Sequence, residues 1–392
     1  MKINRAYKFR IYPDEDQKTA LANHFGCCRF VYNYFLRKRI DFYMLNKNDE
    51  EKKGLNYYDT AGLLTKLKQD SKYLWLNKVN SQALQHALRN LDLAYRNFFI
   101  KLAQFPKFKS RGSAQSFRVP QNFWVKDGKL RLPKVPGLIR VVVHRSIEGK
   151  IRFANVSQIS SGKYFVSFVC EVEIPEPSYG GDMIGIDLGL KDFIVTSRGV
   201  RVAAPQYLRK AKKKLRRLSR KFSCCKKGSK GREKARIVLA KQHEKVKNQR
   251  NDFLHKLSLS LVEENRMIHA ESLAVKNMMS NPILAKYISD AGWGEFIRQL
   301  SYKGAQQGCW LNQIDRFFPS SKRCSCCGHI YKTLKLYERT WTCSNCLSVH
   351  DRDENAAINI EIFGTAGVVG INAGGEGVSR PLGRSLVEPR SS

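Results

Sequence analysis

The sequence predicts a multidomain α/β protein, and three observations carry that prediction. At 392 residues, with 42% hydrophobic and 11% aromatic content, the chain can bury the cores of roughly two to four domains and does not have the composition of a disordered one. Its hydrophobic pattern changes period along the chain, from alternating to helical, back to alternating, and then to strands interleaved with helices. Its 70 Lys+Arg against 34 Asp+Glu leave a formal net charge of +36. Such an excess repels itself in the compact state and calls for a polyanion, of which nucleic acid, bound through counterion release, is the obvious one. A merely soluble basic surface is the plain alternative.

The opening INRAYKFRIYP alternates apolar and basic residues and stops at Pro13, which predicts one strand with a basic face. From Asp14 to residue 104 the apolar residues fall at helical spacing. Gly26 is expected to break the first helical stretch in two, and residues 80–103 form a long amphipathic segment with Leu84, Leu88, Leu91 and Tyr95 on one stripe. Past Phe105 short strands with Asp-Gly and Ser-Gly turns predict a small barrel or sheet, which the first strand joins, and 175–179 read as a linker. Next, MIGIDLGLKDF is a strand carrying Asp187, followed by two short strands and a basic helical stretch over 209–250. MIHAE is a strand ending at Glu271, WGEFIRQLSYKGAQQG a helix, WLNQIDRF a strand, and a last helix begins near Glu354. The stretch from 365 to 392, rich in Gly, Ser and Arg, is expected to be disordered. No run reaches the about 18 apolar residues of a membrane span, and the N-terminus has no apolar signal-type segment.

Eleven cysteines without a secretion signal point to ligands or buried thiols and not to disulfides. Cys324-x-x-Cys327 and Cys343-x-x-Cys346, with fifteen residues between them, have the spacing of a zinc ribbon, in which four thiolates close a tetrahedron. Four sulfur ligands leave no open coordination position, so the zinc expected here, one ion, is structural. Cys326 is an extra thiol inside the first pair. Cys27, Cys28, Cys170 and Cys309 are expected in cores, and Cys224-Cys225 in a basic loop.

Three acids fall at places where chemistry could use them. Asp187 lies within an apolar strand, Glu271 ends another, and Asp353 stands where a helix N-cap would be. Taken alone, Asp187 also suits a strand-ending turn, and Asp353 a plain cap. Their order along strand, hairpin, basic helix, strand, helix, strand and helix is the one an RNase H-like fold would use to bring them together. Converging carboxylates hold hard divalent ions, and a pair of Mg²⁺ ions hydrolyses phosphodiesters.

Long ordered stretches then match a known family. YKFRIYPDEDQ, GCCRFVYNYFL, LQHALRNLDLAYRNFF, GIDLGLKDF, HAESLAVKNM, SDAGWGEFIRQLSYKG, FFPSSKRCSCCG and WTCSNCLSVHDRDENAAINI resemble TnpB, the transposon-encoded RNA-guided DNA endonucleases related to type V CRISPR effectors and once described as OrfB-type transposases. The resemblance implies a β-barrel wedge domain (1–13 and 105–179), an inserted helical recognition domain (14–104), a RuvC-like nuclease domain (180–317 and 350–364) and a zinc-ribbon insertion (318–349). It places Asp187, Glu271 and Asp353 on the family's catalytic acids, with two Mg²⁺ ions, and the four ribbon cysteines on its zinc. It further implies a guide RNA from the transposon end as partner, target double-stranded DNA, one protein copy per RNA, and a cytoplasmic prokaryotic protein on the nucleoid when bound to DNA. Tyr57, Gln85, Gln121 and Asn122 become candidates for reading a short flanking motif, since amides pair with adenine edges. The basic stretch 209–250 would follow phosphates of the heteroduplex. Asp351 is expected to support the site or to pair with Arg352 or another base. A binding-only repressor and a strand-transferring transposase are the alternatives. One departure is Leu347, where the family usually has Gly.

Overall fold

The computed structural model describes residues 2–49, 54–112, 114–174, 182–335 and 337–369. The predicted linker 175–179 and the tail beyond 369 lie outside them. The chain divides into two compact units, one of residues 1–173 with 226–241, the other of 174–225 with 242–392.

In the first unit, strand β1 (Lys2–Tyr12) leads into helix α1 (Glu15–Leu45), then α2 (Tyr57–Leu67) and α3 (Ser81–Phe99). Asp14 starts α1 with a capping box, accepting from the Gln17 backbone N–H while Gln17 returns a bond to the Asp14 N–H. No break occurs at Gly26. α1 is continuous, because Phe25, Cys28, Val31 and Phe35 on both sides of the glycine bury into one core, and that packing outweighs the ~1 kcal/mol that glycine costs a helix. Strands β2 (Gln115–Val119), β3 (Trp124–Lys126), β4 (Lys129–Arg131), β5 (Ile139–Val142), β6 (Lys150–Gln158) and β7 (Tyr164–Glu173) complete a seven-stranded sheet in the order β2-β6-β7-β1-β5-β4-β3. As the alternation predicts, β1 joins it, antiparallel to β7 and β5. The ladder is open at β2 and β3 among the described residues, so the expected barrel is a sheet with two short edges.

The second unit is built on β8 (Met183–Leu188), β9 (Asp192–Thr196), β10 (Arg201–Ala203), β11 (Met267–Glu271) and β12 (Trp310–Ile314), in the order β10-β9-β8-β11-β12. β8 and β10 each pair antiparallel with β9, and β8, β11 and β12 are parallel. This is the mixed order expected of an RNase H-like sheet. The helices are α4 (Tyr207–Cys224), α5 (Lys230–Glu264), α6 (Val275–Met278), α7 (Ala285–Ala291), α8 (Trp293–Gln307) and α9 (Arg352–Val369), with a ribbon hairpin of β13 (Thr340–Thr342) and β14 (Val349–Asp351). α5 begins within the first unit and ends in the second. α4 fully buries only Leu215, and Cys224 and Cys225 lie at its end and cap, not in a loop. α9 carries residues 365–369, which the sequence assigned to the tail.

Strand alternation decides what each face of the second sheet carries. Ile184, Ile186, Ile268 and Ala270 point into a core with Leu254, Phe296 and Leu300 of α5 and α8, where Phe193 meets Phe253 and Phe296 edge-to-face at 5.2 and 5.1 Å. The opposite face, with Gly185, Asp187, His269, Glu271 and Asn312, is left for α9. Gly185 makes that docking possible. A Cβ there would collide with the Ala357 carbonyl and press on Glu361.

Candidate active site and metal centre

The seating of α9 on Gly185 fixes the acids. One turn back along α9 from Ala357 is Asp353, and two residues on along β8 from Gly185 is Asp187, so the two step toward the same end of the sheet. Glu271 closes the neighbouring strand β11. The electrostatics record the convergence: burial raises the Asp187 carboxyl to about 7, with repulsion from Glu271 and then Asp353 adding to it. The Leu188 backbone and Arg352 offset only part of this. Burial raises Glu271 as well, against a hydrogen bond donated by the Ser320 hydroxyl. Carboxylate oxygens are the donor type a hard divalent cation such as Mg²⁺ takes. Among the described residues the groupings of three or more ligand atoms within 4.8 Å are those of the ribbon, so the three acids approach without closing such a grouping.

Asp353 is not the helix cap. Asp351 is, its Oδ1 accepting from the backbone N–H groups of Asp353 (3.0 Å) and Glu354 (3.1 Å). Asp353 stands in the first turn of α9, side chain free of capping and paired with Arg339 of the ribbon at 3.2 Å. The base that Asp351 pairs with is Arg201 of β10, at 2.6 Å, and not Arg352, whose guanidinium donates to the Lys335 carbonyl. Burial pushes Asp351 up, but the Glu354 N–H and Arg201 outweigh it and hold it below the usual carboxylate range.

The ribbon cysteines form the second cluster. Cys324, Cys327, Cys343 and Cys346 place their sulfurs within 4.8 Å of one another, with 3.6 Å between Cys324 and Cys346 and between Cys327 and Cys343. A tetrahedron with Zn–S near 2.3 Å has edges of about 3.8 Å, so the donors present fit zinc. Cys326 is exposed, within reach of a second grouping with Cys324 and His350. The two knuckles have the same backbone. Gly328 N–H bonds to the Cys324 carbonyl and Leu347 N–H to that of Cys343, and both residues have positive φ, 78° and 63°. Leu347 adopts the conformation its place in the motif calls for, as a non-glycine.

Asparagines tie the two clusters together. Asn355 and Asn359, buried and one turn apart on α9, both donate to the Arg323 carbonyl, at 2.7 and 2.6 Å, and to that of Ser320. Asn355 Oδ1 also accepts from the Ser325 N–H inside the first knuckle. Ser320, held in this way, is the residue that bonds Glu271. Ser320, Arg201 and Arg339 were not among the residues the sequence singled out. The i, i+4 pair of amides in ENAAIN was the available sign that α9 holds another segment.

The motif-reading candidates lie in the first unit and do not converge. Tyr57 opens α2 and packs against the core under the Arg89 guanidinium, 5.2 Å from its ring centre. Gln85 is exposed on α3. Gln121 accepts from Gln82 at 3.2 Å, and Asn122 is exposed with φ 60°. Cys27, Cys28, Cys170 and Cys309 are buried, as expected.

Comparison with known proteins fits this architecture. A family model described as "Probable transposase" (OrfB_IS605) matches residues 167–281, and a "Cas12f1-like, TNB domain" model matches 293–360. A third, described as "Helix-turn-helix domain", matches 1–48, where the structure has a strand and one unbroken helix. A Streptomyces pristinaespiralis protein named "Putative RNA-guided DNA endonuclease" is 38% identical over 100% of this chain and 96% of its own length. The chain belongs to the TnpB family. Another family relative, "Putative RNA-guided DNA endonuclease InsQ" of Escherichia coli (strain K12), is 32% identical over 93% of this chain and 94% of its own. Among solved structures, a "Cas12f1-sgRNA-target DNA complex" covers 92% of this TnpB chain and 99% of its own at 13% identity and a TM-score of 0.49, a likeness too distant to place residues. No helix among the described residues is long and apolar enough to cross a membrane.

Proposed function

We propose that the protein is an RNA-guided DNA endonuclease that hydrolyses phosphodiesters at one centre formed by Asp187, Glu271 and Asp353. The observation that carries this reading is the placement of the three acids, Asp187 on β8 and Glu271 at the end of β11 on the sheet face that α9 covers and Asp353 in the first turn of α9, near enough that both neighbours raise Asp187. Two Mg²⁺ ions, when bound, would activate the attacking water and stabilise the leaving oxygen. The chain's own groups set the geometry. β8 and β11 fix two carboxylates on one sheet, α9 brings the third, and Ser320 orients Glu271. Arg339 must release Asp353, or share it, when the cation enters. Zinc would be held by the four cysteines and would fix the ribbon, while Asn355 and Asn359 hold the Ser320 and Arg323 carbonyls at its base. A transposon-end guide RNA would supply sequence specificity by base pairing, with one protein copy per RNA, and the first unit would supply the wedge and recognition surfaces, Tyr57, Gln85, Gln121 and Asn122 among them.

The test is co-expression with transposon-end RNA, purification, and incubation of the complex with a matching target plasmid and Mg²⁺. Cleavage by the wild-type chain that is lost in Asp187→Ala supports the reading. Absence of wild-type cleavage, or undiminished cleavage by Asp187→Ala, overturns it. Target binding without cleavage by the wild type would leave a guided repressor.

A further inference from the structure

In the first unit, α1, α3 and the segment leading into β2 bound a small cleft whose described lining residues include cations and no acid. Arg29, Lys109 and Arg118 line it beside His86, Asn90 and Gln115, around ≈ 50 Å³ of room for solvent-sized groups. The cations are held by neutral partners. The Lys109 ammonium sits 3.9 Å from the centre of the Tyr32 ring, the Arg118 guanidinium 3.8 Å from that of Phe153, and Arg29 donates to the Gln115 amide oxygen at 2.9 Å.

Lys109, Arg118 and His86 respond to the shortage of counter-charge. Burial lowers Lys109, and burial with repulsion from Arg89 lowers Arg118. Burial, then Arg118 and Arg89, drive His86 down to about 4, and its Nδ1 is buried with no hydrogen-bond partner. Desolvating cations without an anion is costly, and a single oxyanion in the cleft would reverse every one of these shifts. Guanidinium forks match phosphate oxygens bidentately, while the lysine adds a point charge.

We propose that this cleft binds one phosphodiester group of a nucleic-acid strand, held by Arg29, Lys109 and Arg118. The assignment rests on the nucleic-acid-binding part of the proposed function and is independent of cleavage.

His86 reports on the site from within. The full-length chain, labelled with ¹³C at histidine, is titrated by NMR in EDTA, and the His86 signal is identified by its loss in His86→Gln. The probes are a short single-stranded RNA, DNA of the same sequence, and inorganic phosphate, each against chloride at equal ionic strength. An anion within about 4–6 Å favours imidazolium, so an oligonucleotide raises the His86 midpoint by about one to two pH units. The RNA and DNA arms identify the strand, and a rise with either supports the site. The rise disappears in Lys109→Gln/Arg118→Gln and persists in Lys109→Arg/Arg118→Lys. A wild-type His86 that no probe moves overturns the proposal. A response to inorganic phosphate but to neither oligonucleotide overturns the nucleic-acid assignment. Both readings come from the wild-type chain and stand even if the glutamine variant does not fold. Loss of plasmid cleavage with an intact His86 response would sink only the nuclease reading.

Discussion

The thiol cluster of the second unit and its three acids, the proposed catalytic centre, are assembled by opposite means. The sulfurs come from two tight turns, each supplying its own N–H donors. Burial pushes Cys324 up, but the backbone of Cys327 and Cys326 with Ser348 and His350 outweighs it and brings the thiol to about 5. Crowding is still felt, since Cys343 is raised to about 11 although the Cys346 N–H favours its thiolate. The acids come instead from two strands and a helix distant in sequence, with few donors to support their charge. A local site can be closed and finished by its own turns. A site assembled from distant elements stays open and under-compensated, and that is where a reaction can be run.

The comparison breaks first at Asp187. Asp187→Ala should lower cleavage on the order of 10³-fold, since bound metal supplies several kcal/mol of transition-state stabilisation, while guide and target binding measured by gel shift are kept. Cys324→Ser should act on the other cluster. One of four ligands in a site worth ~12 kcal/mol is about 3 kcal/mol, roughly 10²-fold in zinc affinity. Zinc content by mass spectrometry should fall, and cleavage should fall with it, because Ser320 and Glu271 depend on the ribbon base. Undiminished cleavage by a zinc-free chain would show the two clusters to be independent.

The proton held at Asp187 sharpens the contrast. Cleavage should rise about tenfold per pH unit up to near pH 7 and level off above, with the midpoint moving down as Mg²⁺ rises. Stability has the opposite slope. The folded chain keeps this proton up to about pH 7, whereas the unfolded chain releases it near pH 4. The folded state therefore binds more protons between those values, and metal-free stability falls as pH rises through that window. Asp187→Asn should raise the melting temperature in EDTA more at pH 8 than at pH 5. An equal effect at both would mean that Asp187 carries no such burden.

What was legible in the sequence follows the same division. The cysteine pairs were readable because their spacing is the site, and β8, β11 and β12 because apolar runs bounded by turns mark strands. That β1 joins the later strands was readable from alternation, but its partners β7 and β5 were not. Gly26 misled because propensity is local, while the faces on both sides of it share one core. The cap was misplaced by two residues because Asp351 and Asp353 are equally good caps by composition. Only the bonds from Asp351 to the N–H groups of Asp353 and Glu354 separate them. Arg201, Arg339 and Ser320 were invisible because each meets its acid from another segment, and nothing in the local text of any of them records the meeting.

The smallest expected effect tests whether the two knuckles differ in anything but one side chain. Gly328 and Leu347 hold the same αL conformation and the same hydrogen bond, and Leu347 is 75% exposed, so its side chain gains little packing in return. A non-glycine residue there carries roughly 1 kcal/mol of backbone strain. Glycine gives part of that back by enlarging the entropy of the unfolded chain. Leu347→Gly should therefore slow zinc loss to a chelator by a few-fold at most and leave cleavage unchanged. Gly328→Leu should do the reverse and more strongly, since a Cβ there meets the Arg323 guanidinium at 3.1 Å. If Leu347→Gly instead speeds zinc loss, the exposed leucine makes a contact that matters, and a bound nucleic acid is where that contact would be sought.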